Sequence, residues 1–345
     1  MTDTFIRTRV ANGIGEVVLD RPVALNALDS SMIRDMYEAL LAWRDDPEIT
    51  AVLVTSASDR AFCAGGDIKS VRDAAVAGDT ATVRDYFANE YRLDELVATY
   101  PKPYLALLDG VTMGGGLGIS VHGAVRVVTE RAVLAMPETA IGFIPDVGAS
   151  HFLPRLRGTT ARCDAVGLYL ALTGARVDAG DAIAVGLATH FVPSHRIDAL
   201  ADRIREGHWQ PALDEFAEAA PASAIADRYP DIDAVFGDGT VADVVERLSG
   251  NHDIDETWAV TTRAALGAAS PTSLWVTAEL LRRGAESPLR ECFARELEVA
   301  VRITAEPDFA EGVRAVLVDK DRNPSWSPRG IGDVDPAVVA GLFRE

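Results

Sequence analysis

Short apolar runs alternate with longer segments of helical periodicity along most of the chain. The first two runs, residues 5–10 and 14–19, flank Asn12-Gly13, a dipeptide typical of tight hairpins. Further runs that predict buried strands are residues 51–55, 104–108, 125–129, 132–135 and 188–192. Because helical segments separate most of these runs, the pattern favours βαβ units wound into an α/β core.

Capping residues mark where several of the predicted helices begin. Asp29 or Ser30 can cap a helix that runs to about Trp43, with apolar side chains at helical spacing. Ser270 followed by Pro271 is typical of a first helical turn and predicts another helix. Further helices are predicted to begin near Ile68 and to cover residues 80–99 and 113–121. Most of the chain after Val147 is also predicted to be helical, with one helix beginning at Pro288 and a last one at Asp308.

The composition of the chain changes after about residue 195. Residues 196–270 are rich in Asp and Ala, contain GDGT and GNHD turns, and predict a helical insert or lid. We therefore expect a core at residues 1–195 that holds the functional site. Residues 271–345 are expected to form a C-terminal helical region that packs on this core.

The charge of the chain limits its partners. Its formal net charge is −19 over 345 residues, which argues against nucleic-acid binding and against an anionic membrane surface. The first ten residues have no apolar signal region, and no run of about 18 apolar residues predicts a membrane span. Cys63, Cys163 and Cys292 are odd in number and far apart, which favours reduced thiols and a cytoplasmic location.

Two glycine-rich loops follow predicted strands. Residues 62–67, FCAGGD, and residues 113–116, MGGG, let the backbone approach a ligand closely with N–H groups pointing outward. Each loop by itself is also compatible with an ordinary turn between a strand and a helix. Two N–H groups aimed at one oxygen would form an oxyanion hole, in which the loss of one donor typically costs about 3 kcal/mol.

Two carboxylates lie in apolar surroundings after the second loop. Glu138 in MPETAIGFIP is either a residue of a first helical turn or a group with a raised pKa. Asp146 in IPDVG either caps a helix beginning near Val147 or faces the same cavity as Glu138. Two carboxylates in one cavity suit a base or nucleophile beside an acid. The chain has neither the GxSxG elbow of serine hydrolases nor an HExxH metal motif.

Four motifs together resemble the crotonase (enoyl-CoA hydratase/isomerase) superfamily. They are DRPVALNAL at 20–28, AFCAGGDIK at 61–69, MGGGLG at 113–118 and PETAIGFIPDVG at 137–148. The resemblance implies a spiral of ββα units, an acyl-CoA thioester substrate, and an oxyanion hole formed by the N–H groups of Gly66 and Gly115. Candidate CoA-binding residues by position in these motifs are Arg21, Ala24, Ala64, Asp67, Ile68 and Lys69, with Arg72 next.

The carboxylate pattern separates the branches of this superfamily. Enoyl-CoA hydratases carry a glutamate where this chain has Gly118, and a glycine where it has Asp146. The exchange is similar to the 3-hydroxyisobutyryl-CoA hydrolase branch, which implies an acyl site lined by Glu90, Gly115, Glu138 and Asp146, the last two being catalytic. The chain departs from that branch at residues 149–151, Ala-Ser-His, where glycines and an aromatic residue are usual.

The resemblance implies a thioester hydrolase of valine breakdown that needs neither a metal nor a cofactor, since CoA is part of the substrate. Glu138 would attack the carbonyl carbon or deprotonate a water, and Asp146 would position the substrate hydroxyl or the water. One alternative is an enoyl-CoA hydratase in which Asp146 replaces the absent glutamate. Another is a non-catalytic CoA-binding protein. Members of the superfamily commonly form trimers or hexamers, so a homo-oligomer is also implied.

Overall fold

The computed structural model describes residues 4–158, 164–250 and 253–344. These residues form two compact units, each assembled from separate stretches of the chain. Unit 1 contains the chain up to Asp67, Asn89–Leu134 and Arg176–Ala224. Unit 2 contains Ile68–Ala88, Ala135–Ala175 and the chain from Ile225 onward. The expected division at residues 195 and 270 stays a prediction.

A six-stranded sheet forms the framework of unit 1. Its strands are β1 (Ile6–Ala11), β2 (Ile14–Leu19), β3 (Ala51–Ser56), β5 (Tyr104–Leu108), β7 (Val125–Val128) and β9 (His190–Phe191), in the spatial order β1-β2-β3-β5-β7-β9. Only β1 and β2 pair antiparallel, through a turn in which Asn12 and Gly13 both have positive φ. The predicted hairpin is therefore confirmed, and parallel pairing of the other strands agrees with the predicted βαβ units.

Three shorter strands form a second sheet. They are β4 (Ala61–Cys63), β6 (Val111–Met113) and β8 (Val133–Ala135), in the order β4-β6-β8. Successive strands of the chain enter the two sheets alternately, as β3 then β4, β5 then β6, and β7 then β8. Helices follow the first two of these pairs, so the chain winds as a spiral of ββα units. This arrangement confirms the predicted fold class, although the sequence pattern had placed residues 62–63 and 113 in loops or helices.

Helices make up most of the rest of the chain. Those up to the end of β9 are α1 (Ser30–Arg44), α2 (Ile68–Val76), α3 (Thr80–Ala98), α4 (Gly115–Val121), α5 (Ala149–Phe152), α6 (Asp164–Thr173) and α7 (Ala179–Val185). Those after β9 are α8 (Ile197–Arg205), α9 (Trp209–Phe216), α10 (Ala224–Asp227), α11 (Tyr229–Phe236), α12 (Val241–Gly250), α13 (Glu256–Ala268), α14 (Pro271–Gly284), α15 (Leu289–Ile303), α16 (Pro307–Val313) and α17 (Pro336–Leu342).

The capping predictions agree with the structure. The Asp29 carboxylate accepts hydrogen bonds from the N–H groups of Ser31 and Met32, so Asp29 is the N-cap of α1. Ser270 caps α14, whose first residue is Pro271. A helix does begin at Pro307, but the expectation that it is the last one is wrong. It continues as a π-helical turn, Arg314–Val318, and α17 follows after an irregular segment and a 3₁₀ turn, Ile331–Asp333.

The helices α8 and α9 complete the hydrophobic core of unit 1. Leu200 and Ile204 of α8 and Leu213 of α9 are buried in one cluster with strand residues such as Leu53 and Leu105. Amphipathic helices need such a partner, since their apolar face gains most of its stability from burial. The helical content predicted for residues 196–270 is therefore present, and its first two helices pack on the sheet of unit 1.

Candidate active site

The two glycine-rich loops of unit 1 lie against each other. A Cβ atom placed on Gly115 would be 3.3 Å from the backbone nitrogen of Gly66, and one on Gly65 would be 3.7 Å from the nitrogen of Gly115. The loop after β4 and the N-terminus of α4 are thus in close backbone contact. The two residues predicted to form an oxyanion hole are brought together by this packing.

The orientation of the Gly66 N–H follows from a parallel bridge between Gly66 and Leu28. The Leu28 N–H donates to the Gly65 carbonyl, and the Asp67 N–H donates to the Leu28 carbonyl, both at 2.8 Å. A residue held in this way by its two neighbours directs its own N–H away from the pairing strand. Gly115 is the first residue of α4, and N–H groups of a first helical turn have no acceptor within the helix.

A buried glutamate lies against position 115. A Cβ atom on Gly115 would come within 2.4 Å of the Glu90 carboxylate oxygen Oε1, and one on Gly116 within 2.3 Å of the Cys63 carbonyl. Glu90 lies on α3 and is 2% exposed. The predicted acyl-site residues Glu90 and Gly115 are therefore neighbours, and a side chain at position 115 would have to displace the Glu90 carboxylate.

One turn further along α3, Asp94 is buried completely. Glu90 and Asp94 are four residues apart and therefore lie on the same face of the helix. Burial raises the pKa of the Cys63 thiol to about 12, and the negative charges of the two carboxylates contribute a smaller increase. Cys63 therefore stays protonated at neutral pH and does not act as a nucleophile. It is free and buried, as is Cys292, while Cys163 lies outside the described residues.

In unit 2, Glu138 is the first residue of a single 3₁₀ turn, Glu138–Ile141, and is 7% exposed. The first reading of its sequence context, a residue of a first helical turn, therefore applies, whereas the raised pKa stays a prediction. The next residue, Thr139, anchors the turn, since its carbonyl accepts from the Ser270 N–H at 3.0 Å and its hydroxyl donates to the Leu172 carbonyl. The beginning of α14 and the end of α6 thus hold the Glu138 turn.

The end of this turn packs on α16. A Cβ on Gly142, whose φ is +70°, would lie 2.2 Å from the Asp308 carbonyl. The next side chain, Phe143, stacks on Phe87 with ring centroids 5.2 Å apart, and its ring centroid lies 5.6 Å from that of Phe309. Close backbone packing and aromatic contacts from α16 therefore fix the segment between the two predicted catalytic carboxylates.

Asp146 begins a loop of unusual backbone conformation. Val147 and Gly148 both have positive φ, 53° and 85° respectively, and the Ala149 N–H donates to the Asp146 carbonyl at 2.8 Å. The following helix, α5, has Gly148 as its N-cap without a side-chain cap bond. The alternative that Asp146 caps this helix is therefore wrong, and its carboxylate is buried, with 4% of the residue exposed.

A carboxylate that the sequence pattern did not single out binds this loop. Glu296 of α15 is fully buried and accepts from the Gly148 N–H at 2.7 Å and the Ser150 N–H at 2.9 Å. The Ser150 hydroxyl donates to the same carboxylate at 2.5 Å. Burial raises the pKa of Glu296 to about 7; the three hydrogen bonds oppose this shift and the charge of Asp146 adds to it.

Among the predicted CoA-binding residues of unit 1, Arg21 is already held by acidic groups. It lies 2.9 Å from Asp67 and 3.7 Å from Asp29, and its guanidinium also donates to the Ala27 carbonyl. The Ala64 N–H donates to the Leu25 carbonyl, so this N–H is occupied within the protein. Ala24 is the last residue of a short 3₁₀ turn, Pro22–Ala24.

The remaining predicted CoA-binding residues lie in unit 2, on α2. Ile68 is its first residue and is partly buried, whereas Lys69 is exposed. Arg72 donates to the Ala310 carbonyl at 3.0 Å and pairs with Asp73, so it also ties α2 to α16. Of these cations, Lys69 presents the most accessible charge.

Sequence reasoning missed Asp94 and Glu296, although each left a signal. In α15 the buried positions include Cys292, Phe293, Val299 and Ile303, and Glu296 lies on the same helical face. A charged residue at a core position of an amphipathic pattern is rare unless its charge is compensated, so it indicates a functional or structural role.

Comparisons with known proteins decide the family. The family model described as enoyl-CoA hydratase/isomerase matches residues 14–343. The chain belongs to the enoyl-CoA hydratase/isomerase family. It is 40% identical, over 96% of its length and 86% of the relative's, to a protein of Gallus gallus named 3-hydroxyisobutyryl-CoA hydrolase, mitochondrial.

Two solved structures are similar to the chain over nearly its whole length. A carnitinyl-CoA dehydratase from Mycobacterium thermoresistibile has a TM-score of 0.93 at 38% identity, covering 99% of this chain and 97% of that one. An enoyl-CoA hydratase from Rhodobacter sphaeroides 2.4.1 has a TM-score of 0.90 at 38% identity, covering 98% and 97% respectively. These similarities confirm the crotonase resemblance, including its helical C-terminal region.

The described residues show neither a membrane-spanning helix nor a metal-binding cluster. No helix in the described part of the chain is both long and apolar enough to cross a membrane. Residues 4–158, 164–250 and 253–344 contain no group of three or more His, Cys, Asp or Glu side chains that could hold a metal ion. The expectation that catalysis needs no cofactor stays a prediction.

Proposed function

We propose that the protein hydrolyses acyl-CoA thioesters and that 3-hydroxyisobutyryl-CoA is its substrate, giving 3-hydroxyisobutyrate and CoA in valine breakdown. The observation that carries the proposal is the buried Asp146, which lies eight residues after the buried Glu138, together with Gly118 in place of the other hydratase glutamate. Relatives about 40% identical over most of the chain carry the name of this hydrolase, which supports the substrate.

In this proposal the N–H groups of Gly66 and Gly115 bind the thioester oxygen. The charge that develops on that oxygen in the tetrahedral intermediate strengthens both hydrogen bonds, so they stabilise the transition state more than the ground state. The close backbone contact of the two loops supports a shared role, because it holds both N–H groups in a fixed relation before the substrate binds.

Glu138 then acts on the carbonyl carbon in one of two ways. As a nucleophile it forms a mixed anhydride with the acyl group, the C–S bond breaks, CoA leaves as the thiolate, and water hydrolyses the anhydride. As a general base it takes a proton from a water that attacks directly, and the same C–S bond breaks. Asp146 positions the substrate hydroxyl or the water, and Glu90 contacts the acyl hydroxyl.

A second candidate is hydration or dehydration of a CoA thioester. It is favoured by the names of the two solved structures that are 38% identical to the chain, a dehydratase and a hydratase. In that case Asp146 would perform the work of the glutamate that Gly118 replaces. This reaction leaves the thioester bond intact, which distinguishes it from hydrolysis in a single assay.

The first experiment is a thiol-release assay with DTNB on 3-hydroxyisobutyryl-CoA, run in parallel with crotonyl-CoA hydration followed by loss of the enoyl absorbance. Release of free CoA supports the hydrolase. Hydration without thiol release would contradict it and would assign Asp146 to the second candidate reaction. Binding of both thioesters without turnover would favour a non-catalytic CoA-binding protein.

The Glu138→Gln variant tests the residue assignment. We expect kcat for thiol release to fall by at least 10²-fold, on the order expected when a base or nucleophile is lost, while the fold is kept. Glu130→Gln is the control, because Glu130 is exposed and its carboxylate accepts from the Ser194 N–H and hydroxyl at the surface. A Glu138→Gln enzyme with the wild-type rate would refute the assignment.

We also propose that the protein is cytoplasmic and forms a homo-oligomer, either a trimer or a hexamer as is common in the family. The animal relatives are named mitochondrial, so location is tested by fractionation of the source cells. Light scattering coupled to size-exclusion chromatography measures the oligomer directly. A monomeric mass of 36.8 kDa would contradict the oligomer proposal.

A further inference from the structure

The loop that carries Asp146 adopts a backbone conformation that its own sequence disfavours. Val147 has a φ of 53°, which is a genuine outlier for a β-branched residue, and Gly148 follows with a φ of 85°. Such a conformation persists only when surrounding contacts hold it, and these contacts then determine the direction of the neighbouring side chains. The neighbour on the N-terminal side is Asp146.

The contacts that hold this loop converge on one side chain. The two carboxylate oxygens of Glu296 accept from the Gly148 N–H, the Ser150 N–H and the Ser150 hydroxyl at 2.7, 2.9 and 2.5 Å. Glu296 is 148 residues away from Gly148 in sequence and is carried by a 15-residue helix. A rigid helix therefore supplies the anchor that the loop cannot supply for itself.

Capping of α5 alone does not account for a buried carboxylate at this place. The helix has four residues, and a Ser, Asp or Asn at its N-cap, position 148, would satisfy the Ser150 N–H locally. Burying a carboxylate is costly, as the raised pKa of Glu296 also indicates. Buried carboxylates of this kind are retained where geometry must be fixed. The titratable groups close to Glu296 are Asp146 and, on the same helix as Glu296, Cys292.

We infer that Glu296 is a positioning residue for the reaction, which holds the Val147-Gly148 turn so that the Asp146 carboxylate stays in its working orientation. The inference rests on the proposed function for the role of Asp146. It assigns no contact between Glu296 and the substrate. Loss of the anchor is therefore expected to slow the chemical step while thioester binding changes little.

The test compares Glu296→Gln with Ser150→Ala and with Glu298→Gln as the matched control. The Gln side chain keeps the volume of Glu296 but presents an amide N–H₂ to one of the N–H donors. Ser150→Ala removes only the hydroxyl donor and keeps both backbone donors. Glu298 lies on the same helix, is partly exposed, and pairs with Arg84, so its replacement changes the same chemical group without touching the loop.

For thiol release from 3-hydroxyisobutyryl-CoA we expect kcat of Glu296→Gln to fall at least tenfold with KM within twofold of wild type. Misplacement of a catalytic group by about 1 Å can cost 10²-fold, which makes such a loss reasonable. Ser150→Ala should lose about two- to threefold, and Glu298→Gln should match wild type. Hydrogen exchange of the peptide spanning residues 144–152 should be faster in Glu296→Gln than in wild type or Glu298→Gln.

The outcomes separate this inference from the proposed function. If wild type releases no thiol, the proposed function fails, and the anchor is judged by exchange and by hydration of crotonyl-CoA. If wild type is active and Glu296→Gln keeps both its kcat and its exchange pattern, the inference is overturned. A fall in kcat of Glu296→Gln that is matched by an equally large change in KM would also overturn it. The same fall in kcat in Glu298→Gln would do so too. Should Glu296→Gln fail to fold, a wild-type kcat and exchange pattern in Ser150→Ala would contradict the anchor.

Discussion

Replacing Glu296 by Gln should change how the stability of the protein depends on pH. Burial raises the pKa of Glu296 from its usual 4.5 to about 7 in the folded protein. The folded state therefore binds a proton more tightly than the unfolded chain, so this group destabilises the fold progressively as the pH rises from about 4.5 to about 7. At higher pH the full penalty is present, and at lower pH it disappears.

The size of the effect follows from the shift. The shift of the pKa from 4.5 to about 7 corresponds to roughly 3 kcal/mol well above pH 7. Between pH 5.5 and 8 the penalty rises from about 1 to about 3 kcal/mol, a change of about 2 kcal/mol. The lower limit of pH 5.5 stays above the pI of 4.7, where the protein carries little net charge and association is favoured.

The assay is urea unfolding of wild type and Glu296→Gln at pH 5.5, 6.5, 7.2 and 8, with reversibility checked at each pH. The Gln side chain does not titrate, and other ionisable groups contribute alike to both proteins, so the difference in unfolding free energy isolates Glu296 and its coupling to Asp146. Relative to Glu296→Gln, wild type should lose about 2 kcal/mol from pH 5.5 to 8.

Two further variants constrain the interpretation. Ser150→Ala removes a hydrogen bond that lowers the pKa of Glu296, so the pKa should rise further and the penalty at pH 8 should grow. Glu298→Gln should show a constant difference from wild type over this range, because the Arg84 guanidinium lowers the pKa of Glu298. A difference between wild type and Glu296→Gln that is the same at pH 5.5 and 8 would refute the reasoning.

Other variants test the oxyanion loops and the proposed CoA contacts. Gly115→Ala should fold but lose at least tenfold in kcat for thiol release, because the added methyl group would displace the Glu90 carboxylate and crowd the Gly66 N–H. A wild-type kcat would contradict the assignment. Lys69→Glu should raise KM for the CoA thioester several-fold. Arg21→Glu should raise KM too, although it also breaks the ion pair with Asp67. An unchanged KM in both variants would exclude these residues as phosphate contacts.

Local features of the sequence predicted much of the fold. Asn12-Gly13 between two alternating runs determined the hairpin, since few other dipeptides tolerate two successive positive φ angles. Asp29 and the Ser270-Pro271 pair determined where two helices begin, because a cap acts within one turn. The alternation of the strands between two sheets was not visible in the pattern and came with the family resemblance, because short strands such as β4 and β6 carry too few residues to show a period.

The candidate site also combines features that the sequence shows with features that only the folded structure shows. The types and order of Gly66, Gly115, Glu138 and Asp146 were readable from the chain, since glycine-rich turns and carboxylates in apolar runs are unusual locally. The close contact of position 115 with a buried carboxylate was not readable, because that carboxylate belongs to Glu90, 25 positions earlier in the chain.

The sequence by itself determined which residues are available for chemistry and the local turns that carry them. Only the tertiary structure decided what holds them: α14 and α16 fix the Glu138 turn, and Glu296 of α15 holds the loop after Asp146. The physical reason is that a cap or a turn depends on neighbours a few residues away. The environment of a buried carboxylate depends instead on segments more than a hundred residues distant, which meet only when the chain has folded.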